Sequence, residues 1–373
     1  MISRLTYIII LNWNGWQDTI ECLESVFCNN YDNYRVIVCD NASENDSLEK
    51  IKHWADGTIQ VNNYGDQRIG EVYTSTPIKK PIKYIEYDRA QAEKNGRGEA
   101  DPPLILIQTG DNLGFAGGNN VGLRYAISKD DCVYVWLLNN DTVIKEDALT
   151  SLIDKATADQ SIGIIGSKLL YYYDPTRIQT LGGANGINWR KLGEYVCGGC
   201  LDDGQYLTDQ ELDGYVCGAS MFINKKVIDD IGLFDTNFFM WAEETDFCLR
   251  AKKKEWKMWF CSNSVVWHKE GGSSGVSQEK IRLWRKSKRV SLQRFVISGY
   301  YDIRNKIYFS RKHFSISLFF ILVYVFFQCC KKIVGIILFD NNKFIRIYLL
   351  LIGMYHGAIS KMGRTINPVE YKL

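Results

Sequence analysis

The chain has 373 residues, of which 46% are hydrophobic and 24% charged, so it can bury a sizeable core and is not disordered. That length suits one large domain with an appendage, or two domains at most. A formal net charge of +2 gives no reason to expect nucleic acid as a partner.

The N-terminus runs straight into residues 7–11 with no basic head and no cleavage site, so no signal peptide is expected. The 11 scattered cysteines then fit a reduced, cytosolic setting. Residues 7–11 and 34–39 are apolar runs rich in β-branched side chains and predict strands. Between them Ile20, Leu23, Val26 and Phe27 recur at helical spacing, and Asp18 with Glu21 reads as a capping box. Residues 57–101 have weak apolar periodicity and many Lys, Glu, Gly and Pro. They read as an insertion or long surface loop, with room for an added hairpin. Residues 104–108 and 134–138 predict two more buried strands, each followed by a helical pattern, over 120–127 and 145–155. This alternation implies an α/β fold with a mostly parallel sheet, covered by helices on both faces.

Beyond Ile162 the strands are less regular, with candidates at 215–223, 258–261 and 265–267 and a helix over 243–254. Cys197-Gly198-Gly199-Cys200 has the spacing of half a zinc site, but lacks a second pair and reads as a glycine-rich loop. The domain is expected to end near residue 280. Residues 281–373 then form a helical tail, opening on a basic stretch at 281–294. Residues 314–330 are 17 positions without a charge, and 333–339 and 345–354 are shorter apolar runs. A spanning helix needs about 20 apolar residues. Arg311, Lys312, Lys331, Lys332, Lys343 and Arg346 flank and punctuate these runs. They therefore read as helices lying in a membrane interface on its cytoplasmic side, or as a shallow hairpin. The competing reading is a buried helical pair or a contact between copies of the chain.

In open α/β sheets ligands bind beyond the carboxyl ends of the strands. Four polar clusters fall at such ends: Asn12-Trp13-Asn14-Gly15, Asp40-Asn41-Ala42-Ser43, the stretch from Asp111 to Asn120, and Asn139-Asn140-Asp141-Thr142. One Asp after a strand is usually a turn or a cap, but four clusters on one rim describe a polar cleft. Asp141 is the natural ligand for a divalent cation held against a diphosphate, with Asn139 two residues earlier facing the same way. Gly114, Gly117 and Gly118 would let the chain approach a ligand closely. They form neither a dinucleotide nor a P-loop pattern. Two later groups stand out, Glu243-Glu244-Thr245-Asp246 at a helix start and His268 before a glycine-serine stretch.

Five motifs in order carry a family resemblance: Ile9-Ile10-Leu11-Asn12-Trp13-Asn14-Gly15, Val38-Cys39-Asp40-Asn41-Ala42-Ser43, Asn112 to Asn120, Leu138-Asn139-Asn140-Asp141 and Glu243-Glu244-Thr245-Asp246. Over about residues 5–275 the chain resembles the inverting glycosyltransferase family 2, in particular its rhamnosyltransferase-like branch. The resemblance implies a GT-A fold, a nucleoside diphosphate sugar donor and a saccharide or lipid-linked saccharide acceptor. It places Asp40 at the nucleoside, and Asn12, Asn14, Asn112, Gly114, Gly117, Asn119, Asn139 and Asn140 around the donor. Asn139-Asn140-Asp141 stands where the family has Asp-X-Asp, so Mg²⁺ or Mn²⁺ would rest on Asp141, helped by His268. The family's Glu-Asp pair reads Glu243-Glu244, and Glu244 takes the place of the base. A nucleotidyltransferase is the main rival, but residues 110–120 contain no Lys or Arg to hold a triphosphate. A non-catalytic sugar-binding protein would need neither the metal carboxylate nor the acid pair.

Overall fold

The computed structural model describes residues 4–59, 78–98, 100–269, 297–339 and 342–366. The expected basic helix over 281–294 and the first part of the expected insertion lie outside these residues.

The first half alternates strand and helix as its apolar pattern dictates. β1 (Leu5–Asn12), α1 (Trp16–Phe27), β2 (Tyr34–Asp40) and α2 (Ser47–Ala55) come first. β3 (Tyr84–Asp88), α3 (Arg89–Ala92), β4 (Leu104–Gln108), α4 (Gly114–Ile127) and β5 (Cys132–Asn139) follow. These five strands are parallel, in the order β3-β4-β2-β1-β5. The hairpin expected within 57–101 is not what residues 84–88 form: they add a parallel edge strand beside β4.

Then come β6 (Thr142–Ile144), α5 (Ala148–Ala158), β7 (Ile162–Tyr171) and β8 (Asp174–Leu181). The short strands β9 (Gly183–Asn185), β10 (Glu194–Tyr195), β11 (Gln210–Leu212) and β12 (Tyr215–Val216) lead to β13 (Ser220–Asn224). α6 (Lys225–Ile231), α7 (Glu243–Lys252) and β14 (Lys257–His268) complete this half. β14 joins the two expected strands 258–261 and 265–267 into one, with a register shift between Cys261 and Val265. β13 pairs antiparallel with both β5 and β7, and β14 runs parallel to β7, so the sheet is parallel on one side and mixed on the other.

Side chains alternate along the strands between two cores. Ile9, Ile37, Ile105, Ile107 and Leu137 face one, packed against Val121 and Leu123 of α4 and Phe247 of α7. Ile8, Ile10, Val36, Leu104 and Trp136 face the other, against Leu23 of α1, Ile51 of α2 and Leu152 of α5.

Two local expectations fail for identifiable reasons. Asp18 and Glu21 do not cap α1, whose N-cap is Gly15 with no side-chain bond. Both carboxylates instead meet the ammonium of Lys269, at 2.5 Å in the case of Asp18. Gly114, Gly117 and Gly118, expected ahead of the helix, lie within α4, which therefore starts at Gly114 instead of 120.

Among the described residues the tail forms three helices, α8 (Ser298–His313), α9 (Leu318–Phe339) and α10 (Lys343–Ala358). The apolar runs 314–330 and 333–339 are not separate: α9 continues through Lys331 and Lys332, and Lys332 pairs with Asp302 of α8. Its residues Leu318–Leu338 are long and apolar enough to cross a membrane by length and composition. The tail also packs onto the preceding part of the chain. Tyr300, Tyr301 and Phe309 of α8 are buried against Phe238, Phe239 and Ala242, immediately before α7.

Candidate active site

The strand register sets the site. Asn12 pairs with Asp40, Asp40 with Gln108, and Leu11 with Asn139, so the expected clusters share one edge of the sheet. Asp40 is 1% exposed and its carboxylate is fully engaged. It accepts from Asn12 Nδ2 at 2.6 Å, Ser43 Oγ at 2.6 Å, Ser43 N at 3.1 Å and Gln108 Nε2 at 3.0 Å. Asp40 thus ties three strand ends together, which leaves it less to offer a nucleoside than the motif suggested. Asn12 Oδ1 in turn accepts from Gly15 N at 3.2 Å and Thr19 Oγ1 at 2.9 Å. Asn14, at φ 56°, accepts from Glu44 N through Oδ1 and donates its backbone N–H to Ser43 Oγ.

Asn112 Oδ1 caps the turn into α4, accepting from Gly114 N at 3.0 Å and from Asn41 Nδ2 at 3.1 Å. Gly114 has φ +71°, and a Cβ there would sit 2.3 Å from the carbonyl oxygen of Phe239. A Cβ on Gly117 would meet Leu113 Cβ at 2.7 Å, and one on Gly118 would meet Leu11 Cδ1 at 2.5 Å. Gly114 and Gly118 thus bring α4 down onto the Phe239 segment and the sheet, and Gly117 makes room for Leu113 of the preceding turn. Asn119 is likewise buried and bonds Phe115 O within its own helix.

The expected metal ligands do meet. His268 ends β14 and Asp141 follows β5, with Nε2 and Oδ1 3.2 Å apart. Asn139 Nδ2 lies 3.4 Å from the same Nε2. His268 Nδ1 is 2.8 Å from Gln179 Oε1, so an N–H there donates to the amide oxygen and turns the other nitrogen toward Asp141. Both residues are buried, Asp141 being 5% exposed. One carboxylate and one oriented imidazole suit a divalent cation whose remaining positions come from a diphosphate and water. Among the described residues no group of three or more His, Cys, Asp or Glu could hold a metal by itself. Asn140 Nδ2 donates to Thr19 Oγ1 at 3.1 Å and Gly15 O at 3.3 Å, bracing this corner against α1.

The acid pair opens α7 beside this edge. Asn139 N donates to Ala219 O at 3.1 Å, and a Cβ on the preceding Gly218 would lie 4.0 Å from Cβ of Glu244. Glu243 is buried, and Oε2 of both glutamates is sealed from water without a hydrogen-bond partner among the described residues. Burial pushes both carboxyls above the usual range. Glu243 rises furthest, because the charge of Glu244 adds to its desolvation, while a hydrogen bond from Glu243 holds Glu244 lower. The pair therefore holds a proton to a higher pH than an ordinary glutamate does. Asp246 has a different part. Burial raises its pKa, but His313, Arg250 and Lys312 together overcome this and bring it down to about 2. His313 Nε2 and Lys312 Nζ both lie 2.7 Å from Oδ1, and Arg250 Nε lies 2.8 Å from Oδ2.

Several residues that shape the site gave no sequence signal. Gln179 is an ordinary residue of β8, and Ser43 and Gln108 matter only through Asp40. Lys269 could have been suspected, since it directly follows His268 and anchors that strand end to α1.

Strand-end carboxylate, facing imidazole and helix-start acid pair, all borne on a half-parallel sheet, are the parts of a transferase of the GT-A class. The glycosyl transferase family 2 model matches residues 7–68 and 87–232, more than half of the chain, and the chain belongs to that family. It is 25% identical over 198 residues to the low-salt glycan biosynthesis hexosyltransferase Agl10 of Haloferax volcanii. The match covers 52% of the chain and 61% of that relative, so it spans less than two thirds of the relative's length. Among solved structures, the mannosyltransferase PcManGT from Pyrobaculum calidifontis, in complex with GDP-Man and Mn²⁺, aligns with 96% of this chain and 75% of its own, at 13% identity and TM-score 0.47. GalNAc-T7 with UDP, GalNAc and Mn²⁺ aligns with 70% of this chain and 42% of its own, at 14% identity and TM-score 0.47.

Proposed function

We propose that this chain transfers a sugar, with inversion, from a nucleoside diphosphate sugar to a hydroxyl of a saccharide. The carrying observation is the acid pair: two neighbouring, desolvated carboxyls at the start of α7, both raised above the usual range, near the strand end that bears Asp141 and His268. Glu244 takes the proton of the acceptor hydroxyl as its oxygen attacks the anomeric carbon, and Glu243 stays protonated beside it. Asp141 and His268 would hold Mn²⁺ or Mg²⁺, which when bound neutralises the departing diphosphate. Asp40 and Asn112 keep the strand ends and the start of α4 in place for the donor. The donor is dTDP-rhamnose or a UDP-sugar, and the acceptor a lipid-linked saccharide in cell-surface polysaccharide synthesis. The tail helices then rest on the cytoplasmic face of the membrane, where such an acceptor is presented.

The test incubates the full chain in detergent with Mn²⁺ and either dTDP-rhamnose or UDP-glucose, and follows release of the nucleoside diphosphate. Release that requires Mn²⁺ and is lost in Glu244→Gln supports the reading. Equal release by that variant would place the base elsewhere.

A further inference from the structure

The segment in front of the acid pair is strained. Phe239, Trp241 and Ala242 have φ of 66°, 65° and 74°, left-handed values that bulky side chains rarely adopt. Such a conformation persists only where its surroundings over-determine it, and such sites cluster where function needs a fixed geometry. On one side the segment meets Gly114, and Phe239 O accepts from Ala116 N at 3.3 Å.

On the other side stand two fully buried polar residues of α8, Arg304 and Asn305. Asn305 Nδ2 lies 3.0 Å from Phe238 O, 2.8 Å from Met240 O and 2.8 Å from Trp241 O. Arg304 Nη2 donates to Phe238 O at 2.7 Å and Asn237 O at 3.1 Å. Arg304 Nε donates to Asn305 Oδ1 at 2.9 Å, which fixes the amide so that its nitrogen points at the carbonyls. Nη1 reaches Gly363 O at 2.6 Å and Thr365 Oγ1 at 3.0 Å, tying in the chain beyond α10. Tyr301 stacks on Phe239 at 5.3 Å, with the guanidinium 4.6 Å from its ring centre. No carboxylate pairs with Arg304 among the described residues, so backbone carbonyls, a hydroxyl and aromatic faces satisfy its charge. A buried cation of this kind is costly unless its donors are used. Here Nη2 serves Asn237 and Phe238, in the segment leading to Ala242, the N-cap of α7, and the other donors serve Asn305, Gly363 and Thr365.

We propose that Arg304 and Asn305 are positioning residues, a clamp from the tail that holds residues 237–242 in the left-handed turn aiming Glu243 and Glu244 at the acceptor. The inference rests on the reading of Glu244 as base. It also makes α8 part of the catalytic unit, so the activity cannot be separated from the tail.

The test compares Asn305→Asp, Asn305→Ser and Arg304→Lys with the full chain in detergent, by hydrolysis of dTDP-rhamnose and UDP-glucose, binding of UDP and dTDP with Mn²⁺, thermal melting and the pH profile. Asn305→Asp sets a carboxylate oxygen against three carbonyl oxygens that share the two N–H donors of the amide. Its kcat should fall about 10²-fold, as for a misplaced catalytic group, while nucleotide binding stays near normal. The ascending pH limb, set by the surroundings of Glu244, should move, and Arg304→Lys, which keeps the charge but not the forked donors, should lose less of the rate than Asn305→Asp. If Asn305→Asp does not fold, Asn305→Ser and Arg304→Lys decide by the same readouts. Normal kcat per folded molecule with an unmoved pH limb overturns the clamp, as does a rate loss that only follows the folded fraction. A Glu244→Gln variant that keeps turnover overturns the base reading instead, whatever the clamp variants do.

Discussion

Nε2 of His268 faces Oδ1 of Asp141 at 3.2 Å while its Nδ1 is 2.8 Å from Gln179 Oε1, so one imidazole joins β14, β8 and the end of β5. Gln179 fixes the tautomer that leaves Nε2 able to coordinate. Replacing such an outer partner typically weakens metal affinity by about 10–100-fold. Gln179→Leu should therefore raise the Mn²⁺ concentration for half-maximal turnover by about that factor, and Gln179→Glu should not, since it still accepts. Calorimetric titration of Mn²⁺ in the presence of UDP measures this, and equal affinities in all three proteins would remove Gln179 from the metal site.

The acid pair sets a pH dependence with a definite sign. Glu244 must be ionised to accept a proton, and its pKa is raised by burial. The ascending limb of kcat/KM should thus lie above the ordinary glutamate value of 4.5. A hydrogen bond from Glu243 holds Glu244 lower than burial alone would. Glu243→Ala removes the donor and should move the limb upward, whereas Glu243→Gln keeps an N–H donor and should leave it nearly in place. Glu244→Gln should lower turnover by about 10²–10⁴-fold at pH values above that limb and remove the limb itself. A limb that stays put in Glu243→Ala would mean that the two carboxyls do not share a proton.

Asp246, the third acid of the cluster at the start of α7, is an anchor. Its folded pKa of about 2 lies below the ordinary 3.8. A depressed carboxyl stabilises the fold above its unfolded pKa and loses that contribution as pH falls through the folded one. The shift corresponds to roughly 2 kcal/mol. Urea unfolding of the wild-type chain and Asp246→Asn should differ by at least about that amount at pH 7, since the variant also strands buried cations. The gap should narrow between about pH 4 and pH 2, and a gap independent of pH would contradict the ion-pair account.

Much of this was legible locally. The strands show as β-branched runs, and the polar residues at their ends fall on one edge because parallel register carries Asn12 to Asp40 and Asp40 to Gln108. What could not be read depends on contacts between distant parts of the chain. Asp18 and Glu21 have cap spacing, but the ammonium that claims them belongs to Lys269. The glycines of α4 look like a ligand loop until Phe239 and Leu11 are seen against them. Lys331-Lys332 looks like a break between apolar runs, yet Asp302 neutralises Lys332 and the helix continues. Arg304 and Asn305 sit in what reads as a basic tail, and their carbonyl partners are invisible to side-chain patterns.

The outward face of the tail leads to the remaining prediction. Phe319, Phe320, Phe326, Phe327, Val334 and Leu338 of α9 are exposed, as are Phe344, Tyr348 and Tyr355 of α10. The opposite side of α9, with Ile321, Val325 and Cys329, is buried against Ile303 and Ile307 of α8. An apolar stripe of this width flanked by lysines suits insertion into a membrane interface. Burying one phenylalanine contributes about 1.5–3 kcal/mol, so Phe320→Ser with Phe327→Ser should weaken vesicle binding by about 10²-fold or more. Both side chains point away from α8, so turnover in detergent should hardly change. Flotation with phosphatidylglycerol–phosphatidylethanolamine vesicles reads the first effect and nucleotide release the second. If the unaltered chain stays soluble with vesicles present, and its mass in solution doubles with concentration, the stripe joins two copies of the chain and does not meet lipid.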